Sequence, residues 1–147
     1  MIGALQESSG LSRVRAMVSA SGELQPYQEE EIGRTILVVE DDILVRAMIA
    51  DKLREVGFIV IEAAGPDEAL DVLAHRFDVK MVLSDVEMSG SMDGVGLARV
   101  VRSAYPAIKI VLTSGRVAAV NDAEHDGFFP KPYDAAQIIR YIRDLLG

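Results

Sequence analysis

Five short apolar runs rich in β-branched residues recur along this chain, at 35–39, 58–62, 79–84, 108–113 and 128–130. Between them lie stretches whose apolar residues repeat at helical spacing. Residues 43–56 carry Leu44, Met48 and Leu53 as core candidates, with Gly57 as the stop. Pro66 opens a second helix to about 76, with Ala69, Leu70 and Leu73 on its apolar side. A third spans 95–104 and ends at Tyr105-Pro106; a weak fourth is expected at 117–124. The last spans 135–146, with Ile138, Ile139, Ile142 and Leu145 on one side. Strands alternating with helices over short connections predict an α/β architecture: a doubly wound, five-stranded parallel sheet with helices on both faces. The run at 79–84 is almost wholly apolar, so it is expected to be buried on both faces.

Polar residues stand where the runs end. ILVVEDD closes on Glu40, Asp41 and Asp42; MVLSDVEM carries Asp85; IVLTSGR carries Thr113; FFPKPY carries Lys131. In an open parallel sheet the carboxyl ends of the strands share one edge, and ligands bind there. Two carboxylates about 4 Å apart repel by roughly 1 to 4 kcal/mol. A cluster of Glu40, Asp41 and Asp85 therefore holds protons or needs a cation. Mg²⁺, which takes carboxylate, water and phosphate oxygens, suits that cluster. Each residue also has a plainer reading: Asp42 as a helix cap, Asp85 as a turn residue, Thr113 as a strand former, Lys131 as a solvated cation. Together they describe a site for a divalent metal and a phosphoryl group. A carboxylate beside a metal can act as a nucleophile towards phosphorus, and a fixed ammonium stabilises phosphoryl oxygens. The Lys131-Pro132 bond is a candidate for the cis form. Neither His75 nor His125 has the spacing of a metal site.

The totals narrow the classes. The 147 residues suit one domain, with none to spare after the last helix. A net charge of −8 argues against direct nucleic-acid binding. No cysteine is present, so disulfides and thiol chemistry are excluded. No apolar run nears the roughly 18 residues of a membrane span, and Glu7 and several serines interrupt any signal-peptide core. A soluble cytoplasmic protein without membrane contact is expected. Residues 1–33 form an N-terminal extension expected to be flexible, rich in Ser and Gly and carrying Glu29-Glu30-Glu31; 34–147 is the folded domain. Leu11, Val14, Met17 and Val18 give the extension an alternative as a short docked helix, and Met17 is an alternative start.

The motifs ILVVEDD, LSDVEM with MDG, LTSG and PKPY, in this order and spacing, resemble the receiver domain of bacterial two-component response regulators, and the MSGSMDG loop resembles stand-alone receivers. The resemblance covers 35–147. It implies a flavodoxin-like sheet of order 2-1-3-4-5. It makes Asp85 the phosphoacceptor, and Glu40 and Asp41 the acidic pair that positions Mg²⁺. Asp85 and the backbone carbonyl of Glu87 complete the metal site. Thr113 becomes the switch hydroxyl, Lys131 the ammonium that meets the phosphoryl group, and Phe128 the aromatic that follows the switch. The implied donor is a phosphohistidine on a histidine kinase or histidine phosphotransfer protein. The output is a protein-interaction surface read by an unknown downstream protein. Such a protein catalyses only its own phosphorylation and dephosphorylation. Two departures stand out. The loop after Asp85 is one residue longer than usual, with Ser89 where a proline is frequent. Thr113 and Lys131 are 18 positions apart, about four fewer than usual, or roughly one helical turn, so a short or irregular fourth helix is expected. Glu87, two past the acceptor, is expected to influence dephosphorylation. The alternatives are a pseudo-receiver that binds partners without phosphorylation, a flavodoxin-like electron carrier, and a metal-dependent phosphatase. The absence of cysteine and of a flavin-stacking aromatic counts against the electron carrier.

Overall fold

The computed structural model describes residues 14–18, 24–28, 33–116 and 124–147. Two strands in the N-terminal extension, β1 (Val14–Val18) and β2 (Leu24–Gln28), form an antiparallel pair with Val14 opposite Gln28. The helical alternative for Val14, Met17 and Val18 is thus replaced by strand, which suits a valine-rich segment. Leu11 lies outside the described residues.

Residues 33–147 alternate as expected. The elements are β3 (Thr35–Val39), α1 (Ile43–Glu55), β4 (Ile59–Ala63), α2 (Pro66–His75) and β5 (Val79–Asp85). There follow α3 (Gly94–Ala104), β6 (Lys109–Ser114), β7 (Gly127–Pro130) and α4 (Ala135–Leu146). The five strands β3 to β7 make one parallel sheet of order β4-β3-β5-β6-β7, which is 2-1-3-4-5 counted along the sheet. Four helices stand among the described residues. Positions 117–123 of the expected fourth helix, at 117–124, lie outside them.

Alternation along each strand builds two cores. Ile36, Val38, Met81, Leu83 and Val111 face one side and pack with Ile49 and Leu53 of α1 and Ile138 and Ile142 of α4. Leu37, Val39, Val82, Ile110 and Leu112 face the other and pack with Leu73 of α2 and Leu97 and Val101 of α3. Both faces of the central strands are covered, which is why their sequence reads as continuous apolar runs.

One expectation is corrected. Leu44 and Met48 are not core: they are 78% and 54% exposed, while Ile49, Ala50 and Leu53 are buried. Leu44 and Met48 are four apart and share one row of the helix, whereas Ile49 and Leu53 form the adjacent row that meets the sheet. The run at 79–84 is buried on both faces as expected, except at Lys80. Between Thr35, opposite Val79, and Ile36, opposite Met81, the register slips, and Lys80 is the extra residue. The bulge turns Lys80 outward to solvent.

Candidate phosphoryl and metal site

The site grows from the carboxyl ends of β3, β5, β6 and β7. Glu40 directly follows β3, and its N–H continues the ladder to the Ala63 carbonyl (3.1 Å). Its carboxylate bends back and accepts from the Asp42 N–H (3.1 Å). Asp42 caps α1, accepting from the N–H groups of Leu44 (2.9 Å) and Val45 (3.2 Å). That leaves Asp41 exposed between a buried acid and a cap. Asp85 is the last residue of β5 and lies in register with Thr113 on β6, both buried. Lys131 follows β7, its N–H reaching the Ser114 carbonyl (2.8 Å), and its bond to Pro132 is cis.

These placements converge. Carboxylate oxygens of Glu40, Asp41 and Asp85 all lie within 4.8 Å of one another. The Lys131 ammonium donates to Glu40 Oε1 (3.0 Å) and sits 3.2 Å from Asp85 Oδ2. Asp85 Oδ1 is buried with no hydrogen-bond partner. Burial pushes the Asp85 carboxyl above its ordinary pKa, and this outweighs the lowering by Lys131. Burial raises Glu40 likewise, helped by the Asp85 charge and opposed by Lys131. Burial disfavours the Lys131 ammonium, but the two carboxylates overcome it and hold its pKa above the ordinary lysine value. One cation thus faces three acids, and one buried acid oxygen has no partner. An added hard cation fits that donor set.

Phe128 lies on β7 opposite Leu112, packs against the α2–α3 core and stacks obliquely on His125 at 6.4 Å. Glu87 lies in the loop after Asp85, and its carboxylate grips the loop after Thr113. Glu87 Oε1 accepts from the Gly115 N–H (3.0 Å), and Oε2 from the Ser114 hydroxyl. The Ser114 oxygen accepts in turn from the Arg116 N–H (2.8 Å).

Three contributions were missed from sequence. Arg46 donates to the Glu40 carbonyl (2.9 Å) and pairs with Glu62 (3.2 Å), fixing the turn that presents Glu40. Its place one turn into α1 is visible in the sequence; its partner across the sheet is not. Ser114 reads only as part of a turn. Gly94 starts α3 directly against Asp85: a Cβ there would stand 2.1 Å from the Asp85 carbonyl oxygen. The signal was the glycine beside Asp93, which caps α3 through the Gly96 N–H (2.9 Å).

Residues 36–143 match the model of the response regulator receiver domain. The chain belongs to that family. Among curated relatives, the sensor kinase CckA of Brucella abortus (strain 2308) is 36% identical over 118 residues, covering 76% of this chain and 12% of the kinase. A putative NtrX-like response regulator of Rickettsia bellii is 31% identical over 111 residues, 71% of this chain and 23% of that protein. This receiver chain therefore spans only a small part of the relatives it matches. Among solved structures, the response regulator TrrA of Thermotoga maritima, in complex with Mg²⁺-BeF, superposes with a TM-score of 0.70 at 23% identity. That match covers 76% of this chain and 98% of TrrA, and establishes the flavodoxin-like receiver fold. Among the described residues no helix is long and apolar enough to cross a membrane.

Proposed function

We propose that this receiver is a phosphoacceptor of a two-component relay and that Asp85 takes the phosphoryl group from a phosphohistidine. The reading rests on one observation above all: Asp85 is buried at a strand end, with Lys131 on one carboxylate oxygen and no partner for the other. In the transfer, an Asp85 oxygen forms the new O–P bond as the N–P bond of the donor ring breaks; the bonding pair stays on that nitrogen, and with the donor's other ring nitrogen protonated the ring leaves as neutral imidazole. Lys131 neutralises charge on the phosphoryl oxygens. Glu40, Asp41, Asp85 and the Glu87 backbone carbonyl would hold Mg²⁺. When bound, it supplies the positive charge that lets acidic groups and phosphoryl oxygens lie together. Thr113, in register with Asp85, meets the phosphoryl group, and Phe128 follows, shifting the population of the surface read by a downstream protein.

The donor is a histidine kinase or histidine phosphotransfer protein. Ile43, Leu44 and Met48 expose 65%, 78% and 54% of their surface beside the site. A depression of about 360 Å³ lined by Val45, Met48, Lys131, Pro132 and Tyr133 adjoins them. An apolar patch against the acceptor suits a partner that must bring its phosphohistidine to Asp85. We assign residues 34–147 to this domain and 1–33 to an extension outside its chemistry.

The test is intact mass after incubation with acetyl phosphate, with Mg²⁺ or with chelator, for wild type and Asp85→Asn. One phosphoryl group that requires both Mg²⁺ and Asp85 is expected. Equal labelling of Asp85→Asn would overturn the acceptor assignment. No labelling from acetyl phosphate or from a phosphorylated histidine kinase would make the chain a phosphorylation-independent binding module.

A further inference from the structure

The amino-terminal edge of the sheet, opposite Asp85, has a character of its own. Lys80 and Asp85 stand five residues apart on β5, a separation of roughly 17 Å at strand rise. Two depressions lie side by side on this edge and share Lys80 and Ala107. One, of about 330 Å³, is ringed by Arg34, Lys80 and Lys109 and floored by Leu145 and Leu146. The other, of about 300 Å³, is mostly apolar, with Phe77, Tyr105 and Ile108 beside Arg76 and Lys80 in its lining. Phe77 is 90% exposed, the highest value among the exposed large apolar side chains of the described residues.

The cations here are unlike most others in the domain. Arg46, Lys52, Arg54, Arg76, Arg99, Arg102 and Lys131 each pair with a carboxylate. Arg34, Lys80 and Lys109 have no ion pair among the described residues, although residues 34–147 carry 18 acids to 13 bases. Asp78, the carboxylate on the neighbouring loop, is already engaged. It accepts from Arg76 Nε and Nη2 (2.9 and 2.6 Å) and from the Thr35 hydroxyl (2.9 Å), and the Arg76 bond holds its carboxyl well below the usual range. Lys80 reaches this edge because the bulge in β5 breaks the alternation that would bury it. Bulges in parallel pairs are rare, and they re-aim a side chain.

We propose that this edge docks an acidic peptide segment carrying an apolar anchor. The carboxylates would lie along Arg34, Lys80 and Lys109, and the anchor would enter the depression beside Phe77. Charge complementarity selects the partner, because three unpaired cations attract acidic segments and repel basic ones here, the reverse of what a net acidic domain does on average. The surface is independent of the phosphoryl site and does not rest on the reading given for it.

The test uses the full chain, followed by backbone-amide NMR with the probe N-acetyl-Glu-Glu-Leu-Glu-Glu-Phe-amide and a control with Gln for every Glu. Shifts are expected at Arg34, Lys80, Ala107 and Lys109, with little response to the control. Lys80→Glu with Lys109→Glu is expected to weaken binding by about tenfold or more. Phe77→Ser is expected to weaken it severalfold while the salt dependence remains. Raising salt from about 0.05 to about 0.5 M shortens the screening length and weakens binding further. These side chains are exposed or at the rim, and thermal unfolding of each variant checks that it is folded. No shifts, equal binding by the control or by the charge-reversed variant, or shifts confined to the acceptor edge would each overturn the proposal. So would concentration-dependent shifts without peptide, which mark contact between copies. If changing Glu29, Glu30 and Glu31 together to Gln tightens peptide binding, the chain's own acidic run is the occupant and a separate partner is ruled out.

Discussion

Replacing Asp85 by Asn is expected to stabilise the metal-free protein while abolishing its chemistry. The Asp85 carboxylate lies 3.2 Å from the Lys131 ammonium and within 4.8 Å of the Glu40 and Asp41 carboxylates. At an effective dielectric of 20 to 80, each of the two repulsions at 4.8 Å amounts to roughly 1 to 3.5 kcal/mol, and the attraction at 3.2 Å to roughly 1 to 5. The single attraction therefore does not outweigh the two repulsions. What is left is the desolvation of a buried charged group whose Oδ1 has no partner, about 1 to 3 kcal/mol. Asn removes the charge and brings an N–H donor towards the acids. In chelator at neutral pH, Asp85→Asn should therefore melt higher, by about 3 °C or more for a chain of this size. The pH dependence has a definite sign. Burial raises the folded-state pKa of Asp85 and, with the help of Asp85, of Glu40. Stability tied to these groups is present at low pH and lost as pH rises through the raised values. The advantage of Asn should therefore shrink as pH falls and Asp85 protonates. Mg²⁺ should raise the melting temperature of wild type and do so less for the variant, because the ion binds the folded acid cluster. Differential scanning calorimetry in chelator and in Mg²⁺ over a pH series measures all of this. A variant that melts lower than wild type in chelator at neutral pH would refute the reasoning, since the Asp85–Lys131 pair would then be net stabilising.

Gly94→Ala should destabilise by about 1 to 3 kcal/mol or more, read by urea unfolding, because its Cβ meets the backbone of Asp85 and Val86 at 2.1 and 2.7 Å rather than a side chain that can move. Glu87→Ala removes the acceptor for the Gly115 N–H and the Ser114 hydroxyl; exchange of the Gly115 amide should quicken by roughly fivefold, as expected for a bond worth about 1 kcal/mol, and unchanged exchange would show that the grip does not hold the loop. Lys131→Met takes the counter-charge from both buried acids, so the Asp85 carboxyl should titrate higher still by NMR and labelling by acetyl phosphate should fall by at least about tenfold. Leu44→Ser with Met48→Ser should leave both stability and acetyl-phosphate labelling nearly unchanged, since both side chains are largely exposed, yet slow transfer from a phosphorylated histidine kinase; equal transfer rates would remove the apolar row of α1 from the donor contact.

The edge that carries Asp85 was legible because its logic is local. Apolar runs fix where β3, β5, β6 and β7 end, and the polar residue that follows each run must stand on one edge once the strands are parallel. Glu40, Asp41, Asp85, Thr113 and Lys131 needed only that rule, and the structure gathers them. What escaped depends on contacts distant in sequence. The Glu87 grip on Ser114 and Gly115 spans 27 and 28 positions and leaves no periodic trace. The bulge at Lys80 exists only in relation to Thr35 and Ile36 on the neighbouring strand, so nothing in the run itself marks it. Leu44 and Met48 mislead for a further reason. Helical spacing shows that side chains share a row, not that anything covers the row. Helix α1 carries two apolar rows, one taken by the sheet through Ile49 and Leu53 and one left to solvent. A stable fold needs only the first. The second contributes almost no burial, and Met48 of that row lies beside Lys131 and Pro132, which is why the double serine variant tests it as the donor contact.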